Sequence, residues 1–368
     1  MLKLAAAGTV GAAVLARPNV SRAQTITMRF QSTWASRDII HEYARDYVER
    51  VNALAGNRLH LELLASGAVV GAFQLLDAVS TGTLDGGHGV PAYWFGKNKA
   101  FSLFGTQPPW ITDANHLLGW YYHGGGEALH RELLHDIVKV NVVAFLTGPM
   151  PTQPLGWFRN PIERAEQLRG MKFRTVGLAA DLFAEMGLAV VSLPGTDIVP
   201  ALERGLIEGA EWNNPTSDRI LGFPDVAKNY MVQSYHQRGE VYEVLLNRQK
   251  YEALPRELQQ VLRIAAEAAS AEMSWKSQDR YSKDLLAMAQ QQGVQVRTTP
   301  REVLDAQLQA WDRVVQKMEG DTSSPAAGAF FKKVADSQRE WGRRVGGFFL
   351  RYDASQALAY NHFFARQG

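Results

Sequence analysis

The sequence predicts an α/β protein of two lobes with a similar plan, and three observations carry that expectation. The chain has 368 residues, more than one average domain of roughly 150 needs. Short strand-like runs alternate with amphipathic helical runs, which is the pattern of βαβ units around a largely parallel sheet. Finally, Leu75–Gly86 is matched 123 residues later by Ile198–Gly209, with Gly82 falling on Gly205. Both copies read as helix, glycine stop, acidic turn and short strand, followed by Pro91 and Pro215. Ligands of open α/β sheets sit beyond the carboxyl ends of strands, here Gly87-His88-Gly89 and Ala210-Glu211-Trp212-Asn213.

Each element follows from local pattern. Ile26–Gln31 reads as a strand. Ile39, Ile40, Tyr43, Tyr47, Val48, Val51 and Leu54 recur at three- and four-residue steps and predict a helix ended by Gly56. Leu59, Leu61 and Leu63 alternate as a strand, Phe73–Ser80 is a short helix, and β-branched Val138–Leu146 is another strand. In the second lobe a helix is expected from Pro161-Ile162 to Gly170, a strand over Met171–Thr175, a helix over Leu178–Met186 and a strand over Ala189–Ser192. Val241–Leu246 is a further strand. From Pro255 to Gln292 the chain lacks an internal Gly or Pro and is rich in Ala, Glu, Gln and Leu, so it predicts one long helix or two collinear ones. Asp321–Pro325 breaks the pattern and Ala326–Arg344 resumes it.

Residues 1–23 read as a leader. Lys3 opens it, Leu4–Leu15 is small and apolar, and Ser21-Arg22-Ala23 places small residues where a signal peptidase requires them. The apolar run is too short for a bilayer span, which needs about 20 residues. Removing the leader takes Lys3, Arg17 and Arg22, so the formal charge falls from +2 to −1. The mature chain is expected to be soluble and periplasmic, with no basic surplus to recruit nucleic acid.

The sequence has no cysteine, which excludes disulfides, thiol nucleophiles and Cys-held metals. No His-Glu-x-x-His, EF-hand loop, P-loop, dinucleotide fingerprint or nucleophile elbow is present. His41, His60, His116 and His130 are scattered and expected at the surface. What remains is a polar cluster in the second lobe. Gln153 stands between Pro151 and Pro154, Arg174 lies in a strand otherwise fit for burial, and Glu211-Trp212-Asn213 ends another strand. An arginine pointing into a cleft suits a carboxylate or phosphate. Gln and Glu side chains with a backbone carbonyl are hard oxygen donors, suited to Na⁺ or Ca²⁺. The alternatives are an ion pair of Arg174 with Glu163 or Asp197 and a solvated strand end at Glu211.

At these residues the sequence resembles the substrate-binding proteins of tripartite ATP-independent periplasmic (TRAP) transporters, in the branch for 2-oxo and 2-hydroxy acids that is often labelled mannitol/chloroaromatic. Gly82–Asp85, Pro91–Lys97, Gln153–Phe158, Lys172–Arg174, Pro200–Gly205 and Glu211-Trp212 carry the likeness. The resemblance implies the two-lobed periplasmic binding protein fold, with hinge strands, a long lobe-spanning helix and a C-terminal helical extension. It implies that Arg174 binds the ligand carboxylate. It further implies a Na⁺ or Ca²⁺ ion held by Gln153, Glu211 and the Trp212 carbonyl. Where the branch usually has a Glu, this chain has Gln237, with Glu240 three residues on. Trp34, Tyr93 and Trp157 are expected walls of the ligand site.

The implied organisation is a signal peptide over 1–23, lobe I over 24–147, and the first segment of lobe II over 148–235. A hinge strand over 236–250 returns to lobe I, 251–320 holds the long helix and completes lobe II, and 321–368 is a C-terminal extension and candidate homodimer interface. The expected function is capture of a small organic acid for a TRAP permease, with no chemistry performed. The alternatives are a ligand sensor for a signalling receptor and a metal-dependent hydrolase or lyase using Glu211 as base.

Overall fold

In the computed structural model, which describes residues 25–364, eleven strands fall in two sheets. In chain order they are β1 (Ile26–Ser32), β2 (Leu59–Leu64), β3 (Gly86–Gly89), β4 (Val142–Met150), β5 (Gly156–Phe158), β6 (Lys172–Arg174), β7 (Ala189–Val191), β8 (Gly209–Ala210), β9 (Asn229–Met231), β10 (Glu240–Asn247) and β11 (Gln295–Arg297). The expected leader lies outside the described residues. One sheet has the order β2-β1-β3-β10-β4 and the other β11-β9-β5-β8-β6-β7. We call the lobes built on them lobe I and lobe II.

Lobe I starts from an alternating strand. Met28 and Phe30 of β1 are buried with Leu59 and Leu61 of β2, its parallel neighbour. Their cover is the helix Ile39–Ala55, whose buried face is Ile39, Ile40, Tyr43, Tyr47, Val48 and Val51. Asp38 caps that helix by accepting the Ile40 N–H at 3.0 Å. The internal similarity is a similarity of structure. Helix Leu75–Thr81 ends on Gly82 at φ 80° and helix Gly195–Glu203 ends near Gly205 at φ 70°. The strands that follow, β3 and β8, sit beside β1 and β6 in parallel register.

The chain crosses from lobe I to lobe II along β4 and returns along β10. These strands pair antiparallel from Val142–Asn247 to Met150–Glu240. The register slips at Val241/Tyr242, where Gly148 is the extra residue. Its φ is +67°, and a Cβ there would collide with Met273 and Tyr242, so glycine is required on two grounds. Ser270 accepts the Gly148 N–H at 2.9 Å, tying the bulge to the long helix.

That helix, Arg256–Gln291, has 36 residues and is about 54 Å long. Leu258, Leu262, Ala265, Ala266 and Ala269 pack into the lobe I core, and farther along Met273, Tyr281 and Met288 join the cluster that continues into lobe II. Among the described residues no helix is long and apolar enough to cross a membrane.

Two expectations fail locally. The helix expected over Pro161–Gly170 is only a turn at Ala165–Leu168; Ile162 and Leu168 are buried in the core and the small Ala165 packs at its edge, too little to hold a helical face. The strand expected from Val138 starts at Val142, because the chain first completes a wide helical turn at Leu133–Ile137 and Lys139 takes φ 60°. The C-terminal helix Pro325–Tyr352 packs through Phe330, Phe331, Val334 and Ala335. Leu350 in its last turns, and Leu358, Tyr360 and Phe363 beyond it, stay exposed.

Candidate functional site

The polar cluster read from sequence is assembled in space and shut between the lobes. β6 places Phe173 in the lobe II core. Alternation then turns Arg174 to the other face, at the strand's carboxyl end. Arg174 is 1% exposed. Its Nε donates to the Leu193 carbonyl at 2.9 Å, and its Nη1 donates to Glu211 Oε1 at 2.9 Å and the Glu211 carbonyl at 3.2 Å. The guanidinium lies 5.2 Å from the Trp212 ring centre. Nη2 is buried with no hydrogen-bond partner among the described residues. Neither Glu163 nor Asp197 pairs with this arginine; both are exposed.

Glu211 is also fully buried. Burial pushes its carboxyl above the ordinary range, opposed by Arg174 and by hydrogen bonds that include Gln153. Gln153, on the link between β4 and β5, aims its Nε2 at Glu211 Oε2, 3.0 Å away, and at the Trp212 carbonyl. Its Oε1 meets His236 Nε2 at 3.1 Å. Gln237 lies alongside: its carbonyl accepts the Gln153 N–H at 3.1 Å, and its buried Oε1 has no hydrogen-bond partner among the described residues. The Gln153 amide, the Glu211 carboxylate and the Trp212 carbonyl therefore converge, with an orphaned amide oxygen nearby. That donor set fits a hard cation such as Na⁺ or Ca²⁺. Among the described residues no group of three His, Cys, Asp or Glu side chains is poised for a metal.

Aromatic rings close the other side. Trp34 faces Trp212 at 6.2 Å, Tyr93 at 5.8 Å and Tyr242 at 5.4 Å between ring centres. Its indole N–H donates to His88 Nδ1 at 2.8 Å. Burial pushes the Tyr93 hydroxyl up, with Arg174 pulling against Glu240, Glu211 and Asp38. Trp157 does not join these walls. It stacks on Tyr230 at 4.2 Å, touches Phe223, and its N–H donates to Asp218 at 2.8 Å. Its ring stacking and its polar atom are committed within lobe II.

Two cleft acids stand outside the expected set: the sequence marks Glu240 only by its place three residues beyond Gln237, and does not single out Asp38. Glu240 is buried, accepts from Asn213 Nδ2 at 2.8 Å, and burial with the nearby Glu211 charge pushes its carboxyl up to about 8. The signal was an acid immediately before the apolar run Val241–Leu246. Asp38 is another: its Oδ1 accepts from Ser217 at 2.7 Å across the lobes, and burial pushes it up to about 6. Further lobe-to-lobe contacts are Arg37 to the Leu221 carbonyl at 3.3 Å, Lys99 to Asp181 at 2.7 Å and the Leu178 N–H to Ser102 at 3.2 Å. His41 and His130 are not at the surface: both are buried, His130 stacked on Phe104 at 4.6 Å.

The model of the bacterial extracellular solute-binding protein family 7 matches residues 30–321. A monocarboxylate 2-oxoacid-binding periplasmic protein from Nostoc is 33% identical over 230 residues, which is 62% of this chain and 62% of that relative's length. A TRAP transporter solute-binding protein from Bordetella bronchiseptica, a dimer with copurified calcium and picolinate, superposes with TM-score 0.87 at 26% identity, over 94% of this chain and all of that one. Two further TRAP solute-binding proteins superpose with TM-score 0.83 at 26% identity. That from Pseudoalteromonas atlantica, with sodium and pyruvate, covers 92% of this chain and 99% of its own. That from Colwellia psychrerythraea, with calcium and pyruvate, covers 90% and 99%.

Proposed function

Because the chain belongs to the bacterial extracellular solute-binding protein family 7, the periplasmic TRAP solute-binding proteins, we propose that it captures a small 2-oxo or 2-hydroxy monocarboxylate together with a cation. The observation that carries this reading is Arg174, buried with an unsatisfied Nη2, beside the Gln153 amide where it meets the Glu211 carboxylate and the Trp212 carbonyl. A planar guanidinium recognises a carboxylate through two parallel hydrogen bonds. A hard cation beside it supplies a second anchor for a carboxylate oxygen and the adjacent keto or hydroxyl oxygen, which favours 2-oxo and 2-hydroxy acids over plain alkanoates. Gln153, Glu211 and the Trp212 carbonyl would hold that cation, with Gln237 as a neutral fourth donor. Trp34, Tyr93 and Trp212 exclude water around the ligand.

Nothing in this arrangement is poised for turnover. Both Glu211 oxygens are engaged, one by Arg174 and one by Gln153, so the carboxylate is held as a fixture and not as a base. The bound acid passes to a TRAP permease. A second copy of the chain covers the apolar residues exposed beyond Phe349, an assignment that sedimentation velocity of the mature chain and of a chain ending at residue 346 would check.

Calorimetry with pyruvate and 2-oxobutyrate tests the site, in sodium-free buffer with chelator and again with each cation restored. Dissociation constants near micromolar, about −8 kcal/mol, are expected with cation present. If Arg174→Ala binds these acids as well as the wild type, the reading is wrong.

A further inference from the structure

His236 lies behind the cleft, joined to Gln153 on one side and Ser234 on the other. It is fully buried, as are Gln153, Ser234 and Gln307. A continuous run of hydrogen bonds connects them. His236 Nε2 is 3.1 Å from Gln153 Oε1, and His236 Nδ1 is 2.5 Å from Ser234 Oγ. Ser234 Oγ lies 2.9 Å from Gln307 Nε2 and 3.3 Å from Gln307 Oε1. Gln307 belongs to the helix Arg301–Glu319, and its Oε1 also accepts the Tyr235 N–H at 2.7 Å.

We infer that His236 is a positioning residue whose neutral tautomer decides which end of the Gln153 amide faces Glu211 and Trp212. The inference rests on the proposed cation site. With the NH₂ group turned toward the Glu211 carboxylate and the Trp212 carbonyl, Gln153 Oε1 needs a donor. His236 supplies it only when its proton is on Nε2; Nδ1 then accepts from the Ser234 hydroxyl, and Gln307 Nε2 donates to Ser234. For Gln153 to offer its oxygen to a cation, the amide must turn by half a revolution. Its NH₂ group then meets His236 Nε2, which must present a lone pair.

The ring accordingly breaks its Nε2–H bond and forms an Nδ1–H bond, exchanging protons through water with no change of charge. Nδ1 now donates to Ser234, whose hydroxyl turns to Gln307 Oε1. Every group keeps a partner in both arrangements, and only the direction of the chain reverses. Both ring nitrogens face neutral groups, Gln153 and Ser234, in a fully buried site, so the imidazole is neutral in either arrangement. Phe183 packs at 5.4 Å between ring centres.

The test is nitrogen NMR of protein labelled with ¹⁵N-histidine, with the His236 signals assigned by their loss in His236→Phe. Spectra are recorded cation-free and with calcium chloride plus pyruvate, and bound calcium is measured on the same samples by mass spectrometry. The expected result is an Nε2–H pattern without calcium and an Nδ1–H pattern with it. Bound calcium with an unchanged tautomer overturns the inference and leaves the cation site standing. Absence of bound calcium overturns the cation site and the inference together. In His236→Phe, calcium affinity should fall about 10- to 100-fold; unchanged affinity in the folded variant would also overturn it.

Discussion

Gln31 in lobe I and Arg174 in lobe II occupy the same place in two copies of one plan. Phe30 pairs with Gly86 and Gln31 with Gly87; Phe173 pairs with Gly209 and Arg174 with Ala210. Each polar side chain then ties down the segment that follows the neighbouring strand. Gln31 accepts from the Val69 N–H at 2.8 Å and donates to the Val70 carbonyl at 2.9 Å. Arg174 donates to the Leu193 carbonyl. The glutamine is consumed by that task, whereas the arginine has nitrogen left over, one engaging Glu211 and one unpaired. Thus the structural position is shared by both lobes, and in the proposed reading the surplus donor makes lobe II the one that binds. The next equivalent positions, His88 in β3 and Glu211 just after β8, diverge in the same sense: His88 receives a tryptophan N–H, while Glu211 holds the arginine.

The most direct way to break this contrast is to give lobe II the lobe I residue. Arg174→Gln should retain the Leu193 anchor and lose carboxylate recognition, weakening 2-oxo acid binding about a thousandfold, the cost of about 4 kcal/mol for stranding a buried charge partner. Calorimetry reads this directly, and affinity within tenfold of wild type would dissolve the distinction. Glu211→Gln comes next. It keeps the shape and removes the charge, so calcium affinity should fall about 10- to 100-fold, measured by titration against a competing chelator.

A smaller effect separates the two tryptophans. Trp34→Ala should weaken ligand binding about tenfold, the loss of about 1.4 kcal/mol of aromatic wall. Trp157→Phe should instead lower the melting temperature and leave the dissociation constant within threefold. Equal effects on binding would restore Trp157 as a wall.

The smallest effect concerns an acid that lacks what Glu211 has. Glu243 of lobe I is buried, accepts from the Trp94 N–H, and has an oxygen without a hydrogen-bond partner among the described residues. Burial pushes its carboxyl from 4.5 up to about 8. Between those values the folded chain keeps a proton that the unfolded chain has released, so stability falls as pH rises through that window. In Glu243→Gln the melting temperature should therefore decline less from pH 5 to pH 8.5, by on the order of 2–4 °C. An unchanged slope would mean that Glu243 ionises normally.

The parts of the fold and site that were legible share a property: their signal is local. Arg174 stood out because Phe173 beside it demanded a buried strand, and Gln153 because two prolines fixed its link. The long helix announced itself by composition, and the repeated helix–glycine–strand by its spacing. What was not legible depends on neighbours brought from far along the chain. His130 is buried because Phe104 and Tyr121 meet it, and no pattern around His130 contains them. Trp157 looked like a wall until Tyr230 and Asp218 claimed its face and its N–H. The helix expected over Pro161–Gly170 failed for the opposite reason, since proline and glycine punctuation was present without enough apolar side chains to bury.

The four lobe-to-lobe contacts made by Asp38, Arg37, Lys99 and Ser102 have a kinetic meaning. Three of them lie apart from the carboxylate anchor, and the fourth, Asp38 to Ser217, reaches it only through the Trp212 indole N–H that donates to Ser217 at 2.7 Å; together they help set how fast the shut protein reopens. Reopening in turn caps the rate of escape. Two acids that differ in affinity through what they gain on entry can then share one residence time, and a membrane receiver that pulls these four contacts apart shortens it without touching the ligand.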